Sequence, residues 1–352
     1  MDDTLRRSDY LGYIRETMST KPKRDGSSSP VVPETELFAT MALIRAFETR
    51  VAELYRDGEI PGFVHTSLGQ EAVAAGVGGA LQDGDYVATT HRGHGHCLAR
   101  GMEVDGMMAE LFARGEGICH GKGGSMHVAD PAHGVLGANA IVGASLPLAV
   151  GAAMSSKHLH QGRVAVAFFG EGAVNQGAFH EAVNLAAIWN LPALLVCENN
   201  VYAEFSDSRT MTRVPGVAER AAGYGIEAAV VDGNDVAAVY TLAAEAAARC
   251  RDGRGPYLIE AETYRWHGHY EGDSQPYKPD EEAASWRERD PLEVSGRRLV
   301  ASGEADGEAL ERVRGEAAAQ VEAAIARARE LPPPELAEAY ADVFGPAEAV
   351  TR

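Results

Sequence analysis

Apolar residues fall at helical spacing from the first third of the chain onward. Leu37, Met41, Ile44, Phe47, Val51 and Leu54 share one face, which predicts a helix packed on a core. IPGFVHTSLGQEAVAAGVGGAL then reads as a turn, a short loop and a helix of small residues. DYVATTHRGHGHCLARG reads as a short strand entering a histidine-rich loop. Further on the pattern alternates between two periods. VAVAFFG over 164–170 is a β-rich run ended by glycine. Residues 175–190 are helical, with Phe179, Val183, Ala186 and Ala187 on one face, and PALLVCENN over 192–200 is a second buried strand. A helix near 215–224, a strand over 227–233, a helix over 235–251 and a strand over 257–264 continue the alternation.

Strand, helix, strand with short joins is a right-handed βαβ crossover, and its repetition predicts an α/β fold: a parallel sheet with helices on both faces. Residues 34–280 are expected to form this domain. Residues 281–352 form a helical C-terminal extension packed on it, with the Ala/Glu/Arg-rich stretch 281–330 exposed along one side. Residues 1–33, ending STKPKRDGSSSPVVP, read as a flexible polar arm.

The net charge of -19 argues against nucleic acid or an anionic membrane surface as partner. Four scattered cysteines with no CxxC pair fit a reduced, cytoplasmic setting. The N-terminus lacks a signal-peptide apolar core, and no uncharged apolar stretch reaches the roughly 18 residues of a membrane span.

Ligands of open α/β sheets sit at the carboxyl ends of the strands. One such end carries Gly170-Glu171-Gly172-Ala173, the next Glu198-Asn199-Asn200, one βαβ unit later. Glycines let the backbone approach an anion, and the amides of 172 and 173 are expected to open a helix N-terminus, which attracts phosphate. A carboxylate with an amide oxygen suits Mg²⁺, which keeps waters and phosphate oxygens in its shell. The plain alternative is that Glu171 is only a first-turn acid. The pairing of Glu171 with Asn200 favours a metal-bridged diphosphate site. The histidines and cysteine at 91, 94, 96, 119, 120 and 127 lack the spacing of a zinc site.

GEGAVNQGAFHEAVNLAAIWNLPALLVCENNVY resembles the thiamine diphosphate motif, in which GDG is followed by NN. GFVHTSLGQEA, HRGHGHCLARG, GKGGSMHV, LGANAIVGASLPLAVGAA and YRWHGHYEGD occur in the family's order. By them the chain resembles the alpha subunit of the decarboxylating component of 2-oxo acid dehydrogenase complexes. THRGHGHC, LGAN and GHYEGDSQPYK look most like acetoin dehydrogenase alpha subunits. The resemblance implies a thiamine diphosphate-binding fold. It implies Glu171, Asn200 and the carbonyl of Tyr202 as metal ligands, and Gly170, Gly172 and Ala173 around the diphosphate. Arg92 would pair with a phosphate oxygen, with His91 in place of a frequent Tyr. Ala140 and Val142 would touch the aminopyrimidine by main chain. His65 and His267 would line the substrate cavity as catalytic groups, His267 also touching the cofactor. Tyr270 stands where some members carry a phosphorylatable serine.

The implied function is cleavage of the carbon–carbon bond beside a ketone, with the acyl or hydroxyalkyl unit passed to a lipoyl acyltransferase. A separate beta subunit would supply the glutamate that activates the aminopyrimidine, in a heterotetramer. The donor could instead be pyruvate, a branched 2-oxo acid or a ketose. One departure stands out: the family's metal-binding aspartate is Glu171 here. Its extra methylene moves the carboxylate by roughly 1.3–1.5 Å, which could favour Mn²⁺ or Ca²⁺, or leave a non-catalytic structural subunit.

Overall fold

The computed structural model describes residues 32–341. Apart from Val32 and Pro33, the polar arm expected over 1–33 lies outside the described residues, as does 342–352. The core is a six-stranded, wholly parallel sheet. In chain order its strands are β1 (Tyr86–Ala88), β2 (Val135–Gly137), β3 (Ala165–Gly170), β4 (Ala193–Asn199), β7 (Glu227–Asp232) and β8 (Tyr257–Glu262). Their spatial order is β2-β1-β3-β4-β8-β7. A separate two-stranded ribbon joins β5 (Tyr202–Ala203) to β6 (Ser206–Asp207).

Both faces of the central strands are apolar, as the continuous runs predict for a buried parallel sheet. Alternate residues of β3 point opposite ways. Ala165, Ala167 and Phe169 meet Leu146, Ala149 and Ala153 of one helix (Ser145–His158) and Phe179, Val183 and Ala186 of another (Gly177–Ile188). Val166 and Phe168 meet Val73 and Val77 of the helix Glu71–Ala80, and Val239, Ala243 and Ala246 of the helix Val236–Arg249. The sheet is therefore wound by helices on both sides. A further layer packs the helix Glu34–Arg56 against the helix Gly307–Glu330. Leu310, Val313, Ala317, Val321 and Ile325 on the latter are buried, while its other side faces solvent.

Three local expectations change. The segment near 215–224 forms a 3₁₀ helix, Ala218–Tyr224, rather than an α-helix. The histidine-rich stretch expected as a loop after β1 carries an α-helix, His94–Arg100. The α-helix expected from 175 starts at Gly177, and a separate 3₁₀ turn, Glu171–Asn175, precedes it. The amides of Gly172 and Ala173 therefore open that turn and not the α-helix.

Candidate active site

β3 and β4 run in register, with Gly170 opposite Glu198. The chain beyond each strand leaves the sheet at the same level. Glu171 and Asn200 consequently touch: the backbone N–H of Asn200 donates to Glu171 Oε2 at 3.1 Å. Both side chains are buried. They lie in a cleft of about 370 Å³ at the carboxyl ends of the strands. Gly170, Gly172, Ala173 and Tyr202 line the cleft on this side, Ala140 and Val142 come from the loop after β2, and His65, His91 and Arg92 close it.

His267 does not line the cleft. Its Nδ1 lies 2.9 Å from Glu271, which also accepts from Thr66 Oγ1 at 2.6 Å, and this pairing turns the ring away. His269, two residues on, lines the cleft instead. Its position follows from the loop: Asp273 accepts the His269 N–H at 2.7 Å and the Tyr277 hydroxyl at 2.5 Å. Gln70, Glu198 and Arg265 also line the cleft and were not singled out by sequence. Gln70, Glu198 and Arg265 lie within GFVHTSLGQEA, PALLVCENN and YRWHGHYEGD, where nothing in the sequence marks them from their neighbours. Glu198 is held by His96 at 3.2 Å, whose other ring nitrogen meets Thr89 Oγ1 at 2.7 Å. His94 pairs with the buried Glu48 at 3.0 Å. Neither ring enters a metal cluster. Among the described residues, the one group of three or more His, Cys, Asp or Glu side chains close enough to share an ion is His65, His91 and His269.

Charge is unevenly spread. Burial, reinforced by Arg92, pushes the His65 imidazole down to about 3 and His91 well below the ordinary value. Burial, then Arg92 and Arg265, takes His269 down to about 4. Burial and Arg265 lower Arg92 to about 9, so it stays a cation at neutral pH. Its Nη1 donates to the Thr66 carbonyl and its Nη2 to that of His269. Burial raises Glu171 to about 7.

The chain matches the family described as dehydrogenase E1 component over residues 39–337. It is 45% identical over 323 residues to the alpha subunit of acetoin:2,6-dichlorophenolindophenol oxidoreductase of Bacillus subtilis, covering 92% of this chain and 96% of that one. The Cupriavidus necator protein of the same name is 43% identical, covering 93% of this chain and 99% of that one. The alpha subunit of the pyruvate dehydrogenase E1 component of Zymomonas mobilis is 42% identical, covering 88% of each. The chain belongs to the dehydrogenase E1 component family. It is an alpha-type subunit of a thiamine diphosphate-dependent oxidoreductase.

The cleft of this E1 chain fits a metal-bridged diphosphate. Glu171 Oε1 is buried with no hydrogen-bond partner, and so is Gln70 Nε2. A buried carboxylate oxygen left unpaired is costly, and a cation would satisfy it. In the 3₁₀ turn Glu171–Asn175 the Gly172 N–H has no acceptor within the turn and can face a phosphate oxygen. A Cβ on Gly172 would lie 2.6 Å from Ala203 Cβ, so only glycine fits this turn beside β5.

Proposed function

We propose that the chain binds thiamine diphosphate through a divalent cation held by Glu171, Asn200 and the Tyr202 carbonyl, and cleaves acetoin or a related 2-hydroxy ketone. The observation that carries this reading is the unpartnered Glu171 oxygen buried beside Asn200 at the end of β3. Gly172 and Ala173 would meet the diphosphate by their amides, Arg92 by its charge, and Ala140 and Val142 the aminopyrimidine by main chain. Bound thiamine diphosphate supplies an electron sink for breaking the bond next to a carbonyl. His65 and His269 would hold or donate protons at the donor's oxygens. The domain 34–280 would carry this site and 281–352 would buttress it. A beta subunit completes the enzyme, and a lipoyl acyltransferase is the natural acceptor. Pyruvate is the second donor reading, since a pyruvate dehydrogenase relative is almost as similar.

Calorimetric titration of the assembled alpha–beta protein with thiamine diphosphate and Mg²⁺ tests the site. Saturable binding is expected, lost in Glu171→Ala and at least as tight in Glu171→Asp. Absence of saturable binding in the unmodified protein would instead support a structural subunit. A dye-coupled screen should then show acetoin turned over faster than pyruvate.

A further inference from the structure

Three imidazoles meet at one point of the cleft. His65, His91 and His269 each place a ring nitrogen within 4.8 Å of the other two. Their ring centroids are 4.7, 5.0 and 5.3 Å apart, edge to face or tilted. Nδ1 of His65 and of His269 is buried without a hydrogen-bond partner. The ring nitrogens of His91 have no partner among the described residues either, and they are not sealed from the cleft. Burial and the neighbouring guanidiniums keep all three rings neutral at neutral pH.

A neutral imidazole carries one N–H donor and one lone pair. Three of them offer donors and acceptors in equal number to whatever enters. A carboxylate only accepts, so it can use the N–H donors but leaves every imidazole lone pair unmatched. A 2-hydroxy ketone brings a carbonyl that accepts and a hydroxyl that donates, which matches the lining. Of the two guanidiniums in the cleft, Arg92 donates to the Thr66 and His269 carbonyls and is assigned above to the diphosphate, and Arg265 donates to the Tyr202 and Glu204 carbonyls and the Tyr277 hydroxyl.

We propose that the three-imidazole cluster selects an uncharged 2-hydroxy ketone over a 2-oxo acid, with His91 taking the proton of the donor's hydroxyl. This rests on the cofactor-dependent reading above and differs from the resemblance at one residue: His91 serves the donor rather than the diphosphate. In the cleavage the O–H bond breaks and its proton passes to a His91 ring nitrogen. The O–H pair becomes the second bond of the departing aldehyde's C=O. The C–C bond breaks with its pair kept by the former ketone carbon, from which the acceptor later withdraws two electrons. The imidazolium then returns its proton to water.

The test uses the assembled alpha–beta enzyme with thiamine diphosphate, Mg²⁺ and a dye acceptor, with acetoin and pyruvate as donors. Unmodified protein, His91→Phe and His91→Gln are compared, and the cofactor Kd of each is measured by calorimetry. His91→Phe should lose about 100-fold in kcat for acetoin, the usual worth of a general base, and its acetoin-to-pyruvate ratio should fall. Its cofactor Kd should stay within about threefold of the unmodified value, well under the tenfold that 1.4 kcal/mol represents. His91→Gln, which keeps a donor and an acceptor but cannot take the proton, should restore KM and not kcat. A weakened cofactor Kd with an unchanged donor ratio would assign His91 to the diphosphate and overturn the proposal. Equal loss on both donors would overturn it too. Preference of the unmodified enzyme for pyruvate would remove the donor reading beneath it, whereas fast acetoin turnover by His91→Phe would sink the proposal alone.

Discussion

At the scale of single residues, the neutral histidines make a prediction about pH. Unfolded, the imidazoles of His65 and His269 titrate near about 6.5. Folded, burial and Arg92 hold them down to about 3 and about 4. Between those values the unfolded chain carries more protons than the folded one, so acid favours unfolding. The stability is intact above pH 6.5 and is lost as pH falls through that value toward 4. His65 alone, 7% exposed, adds a slope of at most about 1.4 kcal/mol per pH unit. Glu171, raised to about 7, takes up a proton in the fold over the same range and offsets part of this. Thermal melts of the cofactor-free protein should therefore fall between about pH 6.5 and 5 by the excess of the imidazoles over that one carboxyl, and His65→Asn should flatten the curve. An unchanged slope in that variant would mean the ring already takes up protons in the fold. The same residues show where sequence reading stops. His267 and His269 sit two apart in one motif, and no spacing rule chooses between them. The choice is made by Glu271, which Thr66 holds from a distant part of the chain.

At the scale of elements, the glycine-rich stretch GKGGSMHV has a physical reason that its spacing did not disclose. Glu110 is fully buried in the helix Val104–Leu111. Its Oε2 accepts the N–H groups of Cys119 and Gly121 at 2.8 Å, and its Oε1 those of Gly123 and Gly124 at 2.7 and 3.0 Å. Four amides turning about one carboxylate require left-handed backbone, and Gly121 (φ +72°) and Gly124 (φ +58°) supply it. The loop leads directly to Met126, which lines the cleft. Glu110→Gln replaces one acceptor oxygen by a donor facing two amides. It should cost about 2–4 kcal/mol in denaturant melts, the scale of buried amides left unpaired. A loss under about 0.5 kcal/mol, the scale of an ordinary surface change, would show that the loop holds without this carboxylate. Buried strands such as β3 and β4 were legible because both faces are apolar over a run that glycine or asparagine ends. β2 was not, since three residues on an edge are defined by the neighbour they pair with, and the 3₁₀ segments were not, since their apolar spacing equals that of a short α-helix.

At the scale of the whole molecule, the parallel sheet and its two helical layers were legible from alternating periods, and the cleft's location followed from the strand ends. What periodicity could not show is that the cleft is open on one side. Ile141 and Val142 on its rim are 71% and 50% exposed, large apolar residues on the loop proposed to carry the aminopyrimidine. Such exposed apolar side chains around a binding cleft fit a surface that another subunit covers. The carboxylates of the cleft lead to the same place. Glu171 is committed to the proposed cation and Glu198 to His96, while Glu204 lies exposed on the β5–β6 ribbon. None is a buried, uncommitted acid able to activate an aminopyrimidine. The isolated chain should therefore bind cofactor weakly and show almost no dye reduction with acetoin. Adding the beta subunit should raise turnover by at least about 100-fold, the contribution of a positioned acid–base group. Ile141→Asp should weaken assembly, read by analytical ultracentrifugation, and should leave the thermal stability of the isolated chain within about 0.5 kcal/mol, as expected for an exposed site. Full turnover by the chain alone would place every catalytic group within these 352 residues and remove the need for a partner.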